Sequence, residues 1–370
     1  MREPSGMSSP KAPSIIRVSA SVAAVLLVIA AHALNAQGAS CFATTGSMTP
    51  ASWSPSASRT PVPAYSARLS VLEDVPLPGP AKRFDYQSLD STTGRLYISH
   101  MRGNRLDVFD TRRARLVASL EDFPGATGVW AVPALNKIYV SVTDRHEVAV
   151  VDDLTLKVVA RVSGAEFPDG IAYAPDERQV FVSDEHGGTD LVIDGATNER
   201  VALIPLGGEA GNTHYDRVSH CVLVAVQTRN DLVAIDPGTH RIVARYPMAC
   251  EHPHGFLIDE SHRLAFITCE GDAKLLVLDL RTMRTTASMK VPDDPDVLAF
   301  DEGLQRLYVA CESGSLAVFE ERNGTLASLG EYRAPHAHTV AVDPKTHRLY
   351  LPLQDVDGKP VLRILAPVAQ

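Results

Sequence analysis

Clusters of basic residues are missing from this chain. Its 370 residues hold 35 Lys and Arg against 44 Asp and Glu, a formal net charge of −9, and no long Lys/Arg run occurs. Nucleic-acid binding draws most of its affinity from neutralising phosphates, so this composition argues against a nucleic-acid partner. Helical spacing at i, i+3, i+4 is nearly absent, which removes a helical solenoid from consideration. Cysteine is scarce: beyond Cys41, only Cys221, Cys250, Cys269 and Cys311 remain. Four are too few to define a disulfide framework, so the core must hold itself together, with a Cys250–Cys269 pairing left open. No H-E-x-x-H or H-x-x-x-H motif is found, and no serine sits in a nucleophile elbow.

What is present begins with a targeting pattern. Lys11 and Arg17 precede an apolar run from about Val18 to Leu34, and small residues follow, with cleavage sites after Ala33 or Ala36. Such a run is marginal for a membrane span and reads as a secretory signal over 1–36. The expected compartment is periplasmic or secreted. Cys41, in G-A-S-C, faintly resembles a lipoprotein processing site, and membrane attachment is expected only if that cysteine is lipidated. Residues 37–66 are rich in Ser, Thr, Pro and Ala and read as a linker. The folded domain is expected over 67–370, as a monomer, with 45% hydrophobic residues in the whole chain to build a core.

Self-similarity organises that domain. RLYISHM (95–101), KIYVSVT (137–143), QVFVSDE (179–185), CVLVAVQ (221–227), LAFITCE (264–270), RLYVACE (306–312) and RLYLPLQ (348–354) start 42 residues apart, with one step of 43. A second run follows each (LDVFD, EVAVVDD), then a third (RLVASL, KVVARV), and another strand candidate precedes it (GIAYAPD, GFLIDE, TVAVD). Four short strands per repeat, separated by Gly, Asn, Asp and Pro turns, match one β-propeller blade. The reading is therefore all-β: a seven-bladed β-propeller of four-stranded blades. The seventh unit has only three strands before the chain ends. RLSVLEDVPL (68–77) supplies the fourth, so an N-terminal strand completes the last blade and leaves no open edge. Blade four, NTHYDRVSHCVLV, lacks an apolar first strand and is expected to be irregular there.

RLYVA with LAVFE, TVAVDPKTHRLYL and DLVIDGATNERVALIPLG resemble the YVTN-type β-propeller repeat over roughly residues 68–368. That resemblance implies a seven-bladed propeller, often exported in bacteria. It implies no reaction, because the repeat consists of structural residues.

The repeat also places the histidines. At the entry to the inner strands the column is Asp85, Thr127, Asp169, Gly211, His254, Asp296 and His338. At the end of the second strands it is Met101, Thr143, Glu185, Gln227, Glu270, Glu312 and Gln354. His252, Asp294 and His336 stand two residues before the entry column. Residues i and i+2 of an extended segment point the same way, and Pro253 biases His252 toward such a conformation. Blades five to seven thus aim four His and two Asp at one side of the channel mouth, with Glu270 and Glu312 one strand outward.

His252, His254, Glu270, Glu312, His336 and His338 are the candidate ligands for a divalent transition metal (Zn, Mn, Fe, Ni or Cu), since imidazole and carboxylate suit those ions. Asp85, Asp169, Glu185, His186, His214 and Asp296 are candidates for binding a ligand, His186 and His214 as the opposite wall. Ordinary turn chemistry, as in P-D-G and P-H-G, is the competing account of these positions. His240 and His347 read as solvated turn residues. Cys269 and Cys311 alternate with the glutamates and should face into the sheet packing. Two functional classes follow: an exported recognition propeller for a small molecule or protein partner, and a metal-dependent lyase or hydrolase acting at the same mouth.

Overall fold

In the sheets, apolar second and third strands are sandwiched on both faces. Tyr97, Ile138, Phe181, Val224, Phe266, Val309 and Leu351 are all fully buried in second strands, and the third strands carry the same aliphatic runs. Near-continuous apolar runs are the signature of strands covered on both sides. Outer strands alternate instead: Arg241–Pro247 runs exposed, half-buried, exposed along its length, as a one-sided edge strand should. The structure, a computed structural model, describes Cys41 and residues 66–368.

Within that range seven four-stranded antiparallel sheets follow one another, each meander running from an inner to an outer strand. Blade two shows the plan: Ala126–Val132, Lys137–Val142, Glu147–Asp152 and Val158–Ser163. Apolar clusters lie between successive blades, such as Tyr97, Val108, Ile138 and Val140 between the first and second. The ring closes as the repeat requires. Leu69–Pro76 pairs antiparallel with Lys359–Pro367, completing the sheet that holds Arg348–Val356 and Ala341–Asp343. Arg363 clamps that seam by donating to Asp74 from Nε at 2.8 Å and from Nη2 at 2.6 Å.

Blade four is regular, contrary to expectation. Its inner strand Ala210–Asp216 carries the same irregularity between its first and fourth residues as the inner strands of blades two, three, five and six. An inner strand packs one face against its neighbours and lines the channel with the other, so an apolar sequence is not required of it.

Turn chemistry explains several polar residues. The residue before each second strand is left-handed, including Asn136, Arg178, His220, Arg263, Gln305 and His347, at φ between 51° and 58°. Side chains there reach the preceding blade: Arg263 grips Asp216 through two bonds of 2.5 and 2.6 Å, and His347 Nδ1 lies 2.8 Å from Asp301 Oδ2. His240 Nε2 lies 2.9 Å from Gln179 Oε1. His240 and His347 are thus turn residues with inter-element partners, not merely solvated ones.

Cysteine was underestimated. Cys41 is bonded to Cys221 and Cys250 to Cys269, while Cys311 is free and packs among Leu307, Val309 and Phe319. Cys269 and Cys311 both face into the sheet packing as expected, and Cys269 also forms the bond to Cys250 that the sequence left open. Cys41, placed in the linker by composition, is buried between Cys221, Leu223 and Met283, and its sulfur is engaged. The predicted signal segment 1–36 and the rest of 37–65 lie outside the described residues.

Candidate functional site

Glycine and hydroxyl residues set the positions of the mouth carboxylates. In blades two, three and five the residue after the entry column is glycine. A Cβ on Gly128 would sit 1.8 Å from the Asp169 carbonyl oxygen, and one on Gly255 would sit 2.1 Å from that of Asp296. Neighbouring inner strands can approach this closely only where no side chain intervenes. Hydroxyls on second strands then tie the blades: Ser141 Oγ donates to Asp169 O at 2.7 Å, and Thr268 Oγ1 to Asp296 O at 3.0 Å.

The resulting site gathers residues from blades one, three, five, six and seven. His338, 4% exposed, is its hub. Its Nδ1 lies 2.8 Å from Glu312 Oε1 and 3.1 Å from Asp296 Oδ2, and its Nε2 lies 3.1 Å from Asp85 Oδ1. His254 Nε2 lies 3.5 Å from Asp296 Oδ1, and its Nδ1 lies 4.0 Å from Glu270 Oε1. Asp296 therefore stands between the two imidazoles. Asp85, Asp169 and Asp296 are all at most 4% exposed.

Charge is unbalanced there. Burial by itself disfavours the charged His254 ring, yet Asp296, Glu270, Asp169 and Glu185 raise its pKa to about 9. His338 is raised well above the ordinary histidine value against the same burial penalty, by Asp296, Asp85 and Glu312. Burial, reinforced by Asp85, lifts Asp169 to about 8, with His254 opposing. Burial would also raise Glu312, but His338 and Arg83 bring it down to about 2.

Two participants were missed from the sequence. Arg83 donates from Nη1 to Glu312 at 3.0 Å, and its Nε lies 3.6 Å from Asp85. Tyr86 donates to Asp169 Oδ2 at 3.2 Å and lies 3.4 Å from His254 Nε2. Arg83 shares the repeat slot of His252 and His336, which was the available signal. Tyr86 fills the slot that is glycine in three other blades.

Other assignments need correction. His252 and His336 have φ of 52° and 57° and are exposed; neither belongs to the inner strand, so the i, i+2 argument does not apply to them. Their slot is a left-handed turn, shared by Asp294 and Gly125. His186 is exposed and packs on Phe167, with ring centroids 4.4 Å apart. Glu185 approaches the mouth but is held by Gln227 Nε2 at 3.2 Å. His214 lies inside the channel, edge-on to Phe256 at 4.7 Å, and burial lowers its pKa to about 4. The grouping that remains is Asp85, Asp169, His254, Glu270, Asp296, Glu312 and His338, with Glu185 at its edge.

Two donor triads could each hold a metal ion here: His254, Glu270 and Asp296, and Asp296, Glu312 and His338, the donor atoms of each lying within 4.8 Å of one another. Four buried atoms at the mouth make no hydrogen bond among the described residues: Arg83 Nε, Asp85 Oδ1, His254 Nδ1 and Asp296 Oδ1. Buried polar atoms are normally satisfied, and the two carboxylate oxygens are of the kind that a cation would engage.

Known proteins resemble this one mainly in fold. No family model matches the chain. A stretch of 96 residues, 26% of this chain, is 28% identical to the uncharacterized protein YncE of Salmonella typhi, and the same values hold for YncE of Salmonella typhimurium. The match spans 27% of the length of those relatives. A chain of the hydrazine synthase of Kuenenia stuttgartiensis superposes with a TM-score of 0.65 over 78% of this chain and 96% of that one, at 15% identity. That likeness shows the fold alone.

Proposed function

We propose that this chain is an exported ligand-binding propeller whose channel mouth holds a divalent transition-metal ion, with His254, Asp296 and His338 as the central ligands and Glu270 and Glu312 beside them. The observation that carries this reading is Asp296, which belongs to both donor triads and has a buried oxygen without a hydrogen bond. Charge supports it as well. Six carboxylates (Asp85, Asp169, Glu185, Glu270, Asp296 and Glu312) converge on Arg83 and two histidines, and a divalent cation would offset the excess. Two disulfides support an oxidising compartment.

A second reading, metal-dependent lyase or hydrolase, is favoured by Tyr86. Its hydroxyl lies beside both His254 and Asp169, where a proton could be passed to or from a bound molecule. A bound ion would supply Lewis-acid polarisation of that molecule. Elemental analysis and calorimetric titration with Zn and Mn test the shared premise. One ion per chain is expected, with affinity reduced at least 100-fold in Asp296→Ala and His338→Ala. A wild-type protein that takes up no ion at neutral pH would overturn it. Loss of turnover, with metal retained, in Tyr86→Phe would then favour the enzyme.

A further inference from the structure

Below the mouth, the axial channel contains a cavity of ≈ 300 Å³ that the metal reading does not use. Residues of all seven inner segments line it. It exists because the wall is uneven. Three positions after the mouth column, blades two, four and five carry Trp130, His214 and Leu257, whereas blades one, six and seven carry Ser88, Ala299 and Ala341. Large residues on one side, interrupted by Ala172 of blade three, and small ones on the other leave the space. The large wall is made of rings: Trp130 meets His214 edge-on at 6.1 Å, and His214 meets Phe256 at 4.7 Å.

The mouth side of the cavity is closely packed. Asp85, Thr127, Asp169, His254, Asp296 and His338 are each less than a tenth exposed, and the Tyr86 phenol spans the axis from blade one to blades three and five. The cavity lining starts at Tyr86 and runs away from the mouth to Leu89, Ala131 and Val342.

No residue of the lining carries a full charge: His214 is its one imidazole, and burial lowers that pKa to about 4. Gln87 Nε2 donates to Tyr350 O at 3.2 Å and to Thr339 Oγ1 at 3.4 Å, so its amide is turned into the packing of blade seven. A concave, mainly apolar space with a few polar groups is the usual form of a small-molecule site.

We propose that this cavity is a second binding site, separate from the mouth, for a small uncharged aromatic molecule. The ring lies against Trp130 and His214. The chain has two tryptophans, Trp53 and Trp130, so a Trp53→Phe background isolates Trp130 emission as the readout. Titration with phenol is expected to give a saturable change. Benzoate and benzylammonium, which carry a full charge, should not saturate. Filling the cavity with Ala299→Leu and Ala341→Leu together should abolish the phenol response while circular dichroism stays unchanged. Ala299→Leu alone is the milder variant and should weaken phenol binding without abolishing it. Stripping metal with a chelator should leave phenol binding intact, which separates this site from the mouth. Absence of saturation with phenol, an unchanged response in a folded cavity-filled variant, or benzoate saturating as phenol does would overturn the proposal.

Discussion

Asp296 and Asp190 show how differently two buried aspartates can be used. Asp296 has one oxygen 3.1 Å from His338 and the other 3.5 Å from His254, so its negative charge is answered on both sides. Because both imidazoles are held protonated by surrounding carboxylates, a metal must displace protons to bind them. Metal affinity should therefore rise with pH up to about 9, the value to which His254 is raised, by as much as tenfold per pH unit for each proton released. Calorimetry at pH 6, 7 and 8 measures this; a pH-independent affinity would exclude imidazole ligation.

Asp190 has no such answer. It is fully buried, neither oxygen accepts a hydrogen bond among the described residues, and burial pushes its pKa up to about 7. A carboxyl raised in the folded state keeps its proton longer than in the unfolded chain, so stability falls as pH climbs from about 4 to about 7 and stays reduced above. The cost reaches about 4 kcal/mol, at about 1.36 kcal/mol per pH unit. Asp190→Asn should remove that slope, raising the thermal midpoint at pH 8 while changing little at pH 4. Equal shifts at both pH values would show that the carboxyl does not titrate as described.

At the scale of the element, inner strands are positioned by what they lack. Gly255 leaves room for the Asp296 carbonyl, and a methyl group there would meet it at 2.1 Å. Gly255→Ala removes no ligand, yet it must push blades five and six apart. Overpacking of this kind costs about 1–3 kcal/mol. Metal affinity should fall at least tenfold with it, because Asp296 moves relative to His254. Titration of a folded Gly255→Ala protein that binds metal normally would show that the strand spacing does not set the site.

The same elements explain which residues the repeat revealed. Asp85, Asp169, His254, Asp296 and His338 share one slot of a 42-residue period, so their convergence follows once the ring closes. His252 and His336 were misplaced because spacing of two residues implies a common direction only within extended backbone, and their slot is a left-handed turn. Arg83 and Tyr86 escaped notice for another reason. How far a long side chain reaches across the axis depends on the space left by other blades, and that space is not written in any single repeat.

Over the whole molecule, one device closes the circle and another ties the segment before it to blade four. The pairing of Leu69–Pro76 with Lys359–Pro367 removes an exposed edge, and the Cys41–Cys221 bond links positions 180 residues apart. Tying so long a loop restricts the unfolded chain by an amount worth about 5 kcal/mol in the chain-entropy account. Cys41→Ser should lower the thermal midpoint by about 10 °C, given roughly 2–4 °C per kcal/mol for a domain near this size. An unchanged midpoint under otherwise identical conditions would mean that the bond does not form or does not constrain the chain. Cys250–Cys269 closes a loop of only 19 residues beside Glu270, so its loss should weaken the site more than the fold.

Seven blades, their four strands, the closing strand and the shared slot of the mouth residues were all determined by the sequence, because a fixed period with alternating apolar runs permits one way to bury every strand. The tertiary structure alone decided which donors meet, which histidines turn away, where Arg83 and Tyr86 reach, and where the channel is left open. Those outcomes depend on distances between blades, and such distances arise only when side chains from opposite parts of the ring compete for the same axial space.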